Sequence, residues 1–167
     1  LGAGQMGNGI TQVAACAGYE VTMIDIKQEY VEHGLVTIES SLSKLVSKDR
    51  MSQADSNSAR ANITISTEKS AAASADLVIE AIPEIPDLKF STFKELDNIC
   101  KEGAILASNT SSISIDEIAN ATSRPNLVIG MHFMNPVPIM KLVEVITGSV
   151  TDDEVTSAVV EAAEKMG

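Results

Sequence analysis

The chain is short of several things that would otherwise steer its reading. It has only two cysteines, Cys16 and Cys100, in 167 residues. That usage fits reduced thiols in a cytosolic-type compartment. Cys16 is expected in the core of the first helix and Cys100 at the close of a later one. Imidazoles are equally scarce, with only His33 and His132, and neither cysteine has metal-ligand neighbours; a structural zinc site is not expected. There is no long apolar run, although 44% of the residues are hydrophobic, which argues for a soluble globular protein without a membrane span. Cations are outnumbered, 12 Lys and Arg against 23 Asp and Glu, for a net charge of −11. A phosphate backbone wants a basic face, so nucleic acid is not an expected partner, and a polyanionic ligand would need locally gathered lysines. The chain shows no internal repeat, low-complexity tract or domain boundary, and its length suits a single core.

What the chain has is concentrated at its start. Leu1-Gly2-Ala3-Gly4-Gln5-Met6-Gly7 fits G-x-G-x-x-G. In a strand-to-helix turn, the first glycine takes backbone angles that a side chain penalises. The second lets a pyrophosphate approach the main chain, and the third lets the helix lie tight on the strand. Free N–H groups at the helix start, with the helix dipole, then favour the phosphate charge. Three glycines in six residues also make an ordinary loop, so the surroundings decide. Met6, Ile10, Val13, Ala14 and Ala17 follow at helical spacing, and Gly18 is placed to stop that helix. Residues 20–25 then alternate as a strand and end in Asp25, 18 positions past Gly7. That is close to the roughly 20 expected of the carboxylate that holds an adenosine ribose; a plain strand-end turn residue is the alternative. A carboxylate there repels a 2′-phosphate, which favours NAD over NADP. Leu1 alone represents the strand that should enter this turn, so the sequence is expected to be a fragment lacking its first strand.

Residues 28–48 read as one long helix. Val31, Leu35, Ile38, Leu42 and Leu45 recur at intervals of four and three, a narrow seam suited to a helix that leans on one partner and projects from the domain. Ser41, Lys44 and Lys48 share one side, either a solvated face or a basic ledge for an anionic ligand. His33 lies on this helix with no acid–base partner and takes no role. A short return helix is expected within 49–62. Strands are expected at 63–66, 77–81, 105–108, 127–132 and 142–146. Between them comes a helix opened by Pro86 and buried through Phe93, Leu96 and Cys100, then one capped by Ser114 and Glu117. The last helix is expected to be capped by Thr151 and Glu154 and buried through Val155, Val159, Ala162 and Met166. The alternation predicts an α/β fold: a Rossmann-like, doubly wound, mainly parallel sheet with a projecting helical hairpin.

In such sheets ligands bind beyond the carboxyl ends of the strands. Three loops there have unusual content: Pro83-Glu84, Ser108-Asn109-Thr110-Ser111-Ser112, and residues 132–138, stiffened by two prolines. His132 is the only plausible general base, although a histidine after an apolar strand is often structural. Glu144 stands inside an otherwise apolar strand, and a buried acid needs a partner. If the chain returns so that the two meet, the acid fixes the imidazole tautomer and stabilises the imidazolium formed on proton uptake. Oxidation of an alcohol requires such a base while hydride leaves carbon for a nicotinamide. Ser111, on the neighbouring loop, can hydrogen-bond the same oxygen.

These motifs resemble a known family. Residues 2–7, Glu80-Ala81-Ile82-Pro83-Glu84, residues 108–112 and the run GMHFMNPVPIMKLVEVI at 130–146 are similar to the NAD-binding domain of 3-hydroxyacyl-CoA dehydrogenase, closest to the bacterial 3-hydroxybutyryl-CoA branch. The likeness spans the chain, and the last run is highly specific. It implies His132 as catalytic base, Glu144 as its paired acid and Ser111 on the substrate oxygen. It implies NAD contacts from Gly2, Ala3, Gly4, Gln5, Met6, Gly7, Asp25, Glu84, Lys89, Ser111 and Asn135, and coenzyme A contacts from Ser41, Lys48 and Ser111. The activity implied is hydride transfer between NAD(H) and C3 of a short-chain (S)-3-hydroxyacyl-CoA or its 3-oxo counterpart, without a metal, in a cytoplasmic protein of bacterial type. A helical C-terminal domain that completes the cleft and forms a homodimer is implied beyond the chain; residues 1–167 alone are expected to be inactive or nearly so. Two further readings stand beside this one. One is a non-catalytic structural relative, as lens lambda-crystallin is; the other is an NAD-dependent dehydrogenase of a hydroxy acid without coenzyme A.

Overall fold

Alternating apolar strands and amphipathic helices fold into layers, which a computed structural model describes for all of residues 1–167. The strands are β1 (Val21–Ile24), β2 (Ile63–Ser66), β3 (Leu77–Glu80), β4 (Ile105–Ser108), β5 (Val128–Phe133) and β6 (Val143–Thr147). The helices are α1 (Gln5–Cys16), α2 (Gln28–Ser47), α3 (Gln53–Ala61), α4 (Pro86–Ile99), α5 (Ile115–Ala119) and α6 (Asp153–Lys165). β1 pairs with β2, and β3 with β4 and β4 with β5, all in parallel; β6 is antiparallel to β5. Parallel neighbours need long crossovers, and the helices supply them.

The ladder falls into two pieces, β1–β2 and β3–β4–β5–β6, and the gap lies where the sequence has only Leu1 of the expected entering strand. Leu1 and Gly2 bridge them. The Leu1 nitrogen donates to Ile79 O at 2.7 Å, the Ala81 N–H to Leu1 O at 2.8 Å and the Gly2 N–H to Ile24 O at 2.7 Å. Beyond these bonds the space between β1 and β3 is a slot of about 700 Å³, lined largely by apolar side chains such as Ile10, Met23, Val78 and Ile79.

Helices cover both faces of the larger piece. α4 and α5 bury Phe93, Leu96, Ile115 and Ile118 against Val78, Leu106 and Val128. On the opposite face α1 and α6 bury Ile10, Val155 and Val159 against Ala107, Ile129, Met131 and Phe133. Adjacent residues thus serve opposite layers, Leu106 and Ala107 or Val128 and Ile129, as the pleat dictates. α2 docks through the expected seam: Val31, Ile38 and Leu42 are buried with Ala59 of α3 and Ile63 of β2. Past Leu42 its side chains are half-buried or exposed.

Three local expectations fail for physical reasons. Cys16 is exposed, because it follows buried Ala15 and the helical turn rotates it off the core side. Ser114 is the N-cap of α5 but its side chain makes no capping bond. The N-cap of α6 is Asp152, because Thr151 is used elsewhere. Its Oγ1 donates to Val128 O and accepts from the Gly148 N–H, stapling the end of β6 to the start of β5. No helix is long and apolar enough to cross a membrane.

Candidate cofactor and acid–base site

The glycine turn has the geometry its spacing calls for. Gly2 has φ +98°, and a Cβ there would lie 2.6 Å from Ala81 O. A Cβ on Gly7 would lie 1.8 Å from Gly2 O, so only glycine lets α1 rest on the turn. Around Gly4, by contrast, nothing lies within 4 Å of such an atom. The turn is therefore closed on its protein side and open on the other. Gly4 is the N-cap of α1 and offers no side chain to the first-turn N–H groups, which leaves that end of the dipole for an anion. Asp25, just past β1, faces the turn: Oδ2 accepts from the Ala3 N–H at 2.6 Å and Oδ1 from the Ile26 N–H at 2.7 Å. Each carboxylate oxygen keeps acceptor capacity for a ligand hydroxyl. The glycine turn and the Asp25 carboxylate are thus held together by a direct bond, and the residues present fit a dinucleotide.

A second group closes the ends of β3 and β4. Glu84 Oε1 accepts from Thr110 Oγ1, from the Ser111 and Ser112 N–H groups at 3.0 and 3.3 Å and from Ser112 Oγ at 3.1 Å. Burial alone would raise this carboxyl. The hydrogen bonds from Thr110, Lys89 and the Ser111 N–H, with the charge of Lys89, outweigh burial and bring it down to about 2. Lys89, expected as a cofactor contact, is only 1% exposed. Its ammonium meets Glu80 Oε1 at 2.6 Å, Glu84 Oε2 at 3.2 Å and Ile82 O at 3.4 Å, so its three hydrogens are spent within the protein. The reason is Glu80, a wholly buried carboxylate that demands a cation.

The third group is the imidazole and its acid. β5 and β6 pair so that His132 stands directly across from Glu144, with Nδ1 2.8 Å from Oε2. An ionised carboxylate only accepts, so Nδ1 carries the hydrogen and Nε2 is the basic nitrogen. Glu144 is not the buried acid that its apolar neighbours suggest. Its side chain is 54% exposed and that of His132 is 22% exposed, because β6 is the edge strand, where Glu144 and Ile146 on one side stay exposed.

Two side-chain bonds draw these groups towards one another. Gln5 Nε2 donates to Asn135 Oδ1 at 3.2 Å, joining the glycine turn to the loop after β5. Asn109 Oδ1 accepts from the Phe133 N–H at 2.8 Å, joining the loop that carries Ser111 to the residue after His132. Ser111 itself is exposed on that loop. Ser41 and Lys48 stand apart, half-buried and exposed on the far part of α2. α2 meets the turn elsewhere: a Cβ on Gly34 would lie 2.9 Å from Ala3 O. Sequence reasoning passed over Glu80, Asn109, Gly9 and Gly34. Gly9 had a signal, a fourth glycine two places past the motif. A Cβ there would lie 2.8 Å from Val137 Cβ, so it seats the loop that holds Asn135.

A mainly parallel sheet with an open glycine turn at its seam and a carboxylate bonded beside it has the form of a dinucleotide-binding α/β domain. Residues 1–167 match the NAD-binding domain of 3-hydroxyacyl-CoA dehydrogenase, and the chain belongs to that family. It is 51% identical over 166 residues to the "Probable 3-hydroxybutyryl-CoA dehydrogenase" of Bacillus subtilis, covering 99% of this chain and 58% of that protein. The Deinococcus radiodurans protein of the same name is 50% identical, with coverage of 100% and 60%. Among solved structures, the (S)-3-hydroxybutyryl-CoA dehydrogenase of Ralstonia eutropha superposes with a TM-score of 0.97 at 47% identity, covering 99% of this chain and 59% of that one. The chain thus spans about three-fifths of the length of these relatives, and its domain is an NAD-binding one.

Proposed function

We propose that this domain belongs to an enzyme that moves hydride between NAD(H) and C3 of a short-chain (S)-3-hydroxyacyl-CoA or 3-oxoacyl-CoA. The observation that carries the reading is the His132–Glu144 pair, held in register across β5 and β6 and tied through Asn135 and Gln5 to the dinucleotide turn. Residues 2–7 hold the pyrophosphate and Asp25 the adenosine ribose. Glu84, Ser111 and Asn135 shape the nicotinamide end, with Lys89 acting from beneath. When bound, NAD supplies the hydride acceptor. His132 Nε2 takes the proton of the substrate hydroxyl, Glu144 stabilises the imidazolium, and the Ser111 hydroxyl donates to the same oxygen. Reduction runs the same proton transfer backwards, with His132 as acid. Ser41 and Lys48 engage coenzyme A. The relatives are longer, and a groove of about 490 Å³ beside exposed Met140 and Leu142 suits a further domain that completes the cleft and pairs two subunits.

The test is His132→Gln in the full-length protein. General-base help is worth about 10²–10⁴ in rate, so turnover of acetoacetyl-CoA should fall by that factor while NADH affinity holds. Undiminished turnover would remove His132 from the mechanism. A wild-type protein that consumed no NADH would favour the non-catalytic relative, and equal use of free acetoacetate would favour a dehydrogenase acting without coenzyme A.

A further inference from the structure

Two carboxylates and one ammonium lie in a row beneath the proposed nicotinamide end. Glu80 closes β3 and Ser108 closes β4; they are register partners, and both are fully buried. Glu80 Oε2 accepts from Ser108 Oγ at 2.7 Å, while Oε1 accepts from the Ile82 N–H at 2.7 Å and from Lys89 at 2.6 Å. Lys89 reaches on to Glu84, and Glu84 gathers the N–H groups of Ser111 and Ser112. No buried side-chain nitrogen or oxygen in the protein lacks a partner, so the row is complete. None of its bonds needs a ligand.

We propose that Glu80 is a positioning residue: it anchors the Lys89 ammonium, which steadies Glu84 against the 110–112 turn and so keeps Ser111 in place for the reaction. This rests on the functional reading above. Without the Glu80 charge, the ammonium has only a partly exposed carboxylate and one long carbonyl contact to hold it. Glu84 then follows its partner, and the turn loses the acceptor of the Ser111 N–H and one of the two acceptors of the Ser112 N–H.

The experiment is a cycle in the full-length protein with Glu80→Gln, Glu84→Gln and the double variant. Each single change should lower kcat about tenfold while KM for acetoacetyl-CoA stays within about threefold. The double should be no slower than Glu84→Gln alone. Amide exchange at Ser111 and Ser112 should quicken in Glu80→Gln, and Val159→Ala, a core variant on the opposite face, should leave that exchange as it was. Additive losses in kcat, or unchanged exchange at both serines, would overturn the proposal. Breaking one side of a buried pair can itself unfold a protein, so Glu80→Gln is backed by Glu80→Leu/Lys89→Met, which removes the pair together. That variant should show the same lower kcat and faster exchange; normal values of both would overturn the proposal equally. If wild-type protein turns over no 3-oxoacyl-CoA, the functional reading falls, while the exchange rates still judge this one.

Discussion

Glu84 shows how one side chain sets local order. It would titrate near 4.5 when unfolded but is held at about 2 in the fold. The unfolded chain therefore binds more protons between those values, and stability rises with pH across them. The contribution from Glu84 is complete above about pH 4.5 and disappears as pH falls towards about 2. Glu84→Gln should melt below the parent near neutrality, and its melting temperature should fall less steeply through that acid window; parallel curves would show that the carboxylate is not clamped. Single residues of rare type are the most readable part of the chain. His132 and Glu144 can be picked out because a lone imidazole and an acid among valines are each conspicuous. Glu80 is the same kind of signal, an acid closing Leu77-Val78-Ile79. It stays hidden because its partner Lys89 lies on a helix whose pattern speaks only of burial.

Within the strand–turn–helix unit, the glycines divide their duties. Gly7 is hemmed in by the Gly2 carbonyl, whereas Gly4 faces open space with ordinary extended angles, φ −67° and ψ −168°. Gly7→Ala should therefore lift α1 from the turn at a cost of about 1–3 kcal/mol or more. Gly4→Ala should leave the melting temperature almost unmoved yet weaken NADH about tenfold or more, or ~1.4 kcal/mol, because its methyl group enters the space kept for the pyrophosphate. Thermal melts and NADH titrations on the two variants check this, and a Gly4→Ala protein with normal affinity would contradict it. Element positions follow well from sequence wherever an apolar run is bounded by polar loops, and β2 and β4 match their expected ranges residue for residue. Capping boxes serve less well, because Thr151 satisfies both conditions of the motif and is still taken by the Gly148 N–H beside it and by Val128 O at the start of β5. The exposure of Glu144 is hidden likewise, since strand patterns report the pleat and not which strand lies at the edge.

At the scale of the molecule, the ladder breaks where the sequence offers only Leu1 to the strand that should enter the glycine turn. β1 and β3 face each other across an apolar slot with Leu1 at one end. Unpaired strand edges invite association. Residues 1–167 should therefore self-associate, and an extended apolar peptide of about five or six residues, added in trans, should raise the melting temperature and reduce association. A polar peptide of equal length should do neither; if both act alike, the slot is not a strand site. The glycine turn sits on this same seam. The Gly2 N–H reaches Ile24 on one side, and the Leu1 carbonyl receives Ala81 from the other. The turn thus touches both half-sheets. By reciprocity, whatever factor separates dinucleotide affinity with the slot filled and empty is also the factor by which the dinucleotide changes the filling, so peptide and NADH titrations should return one number.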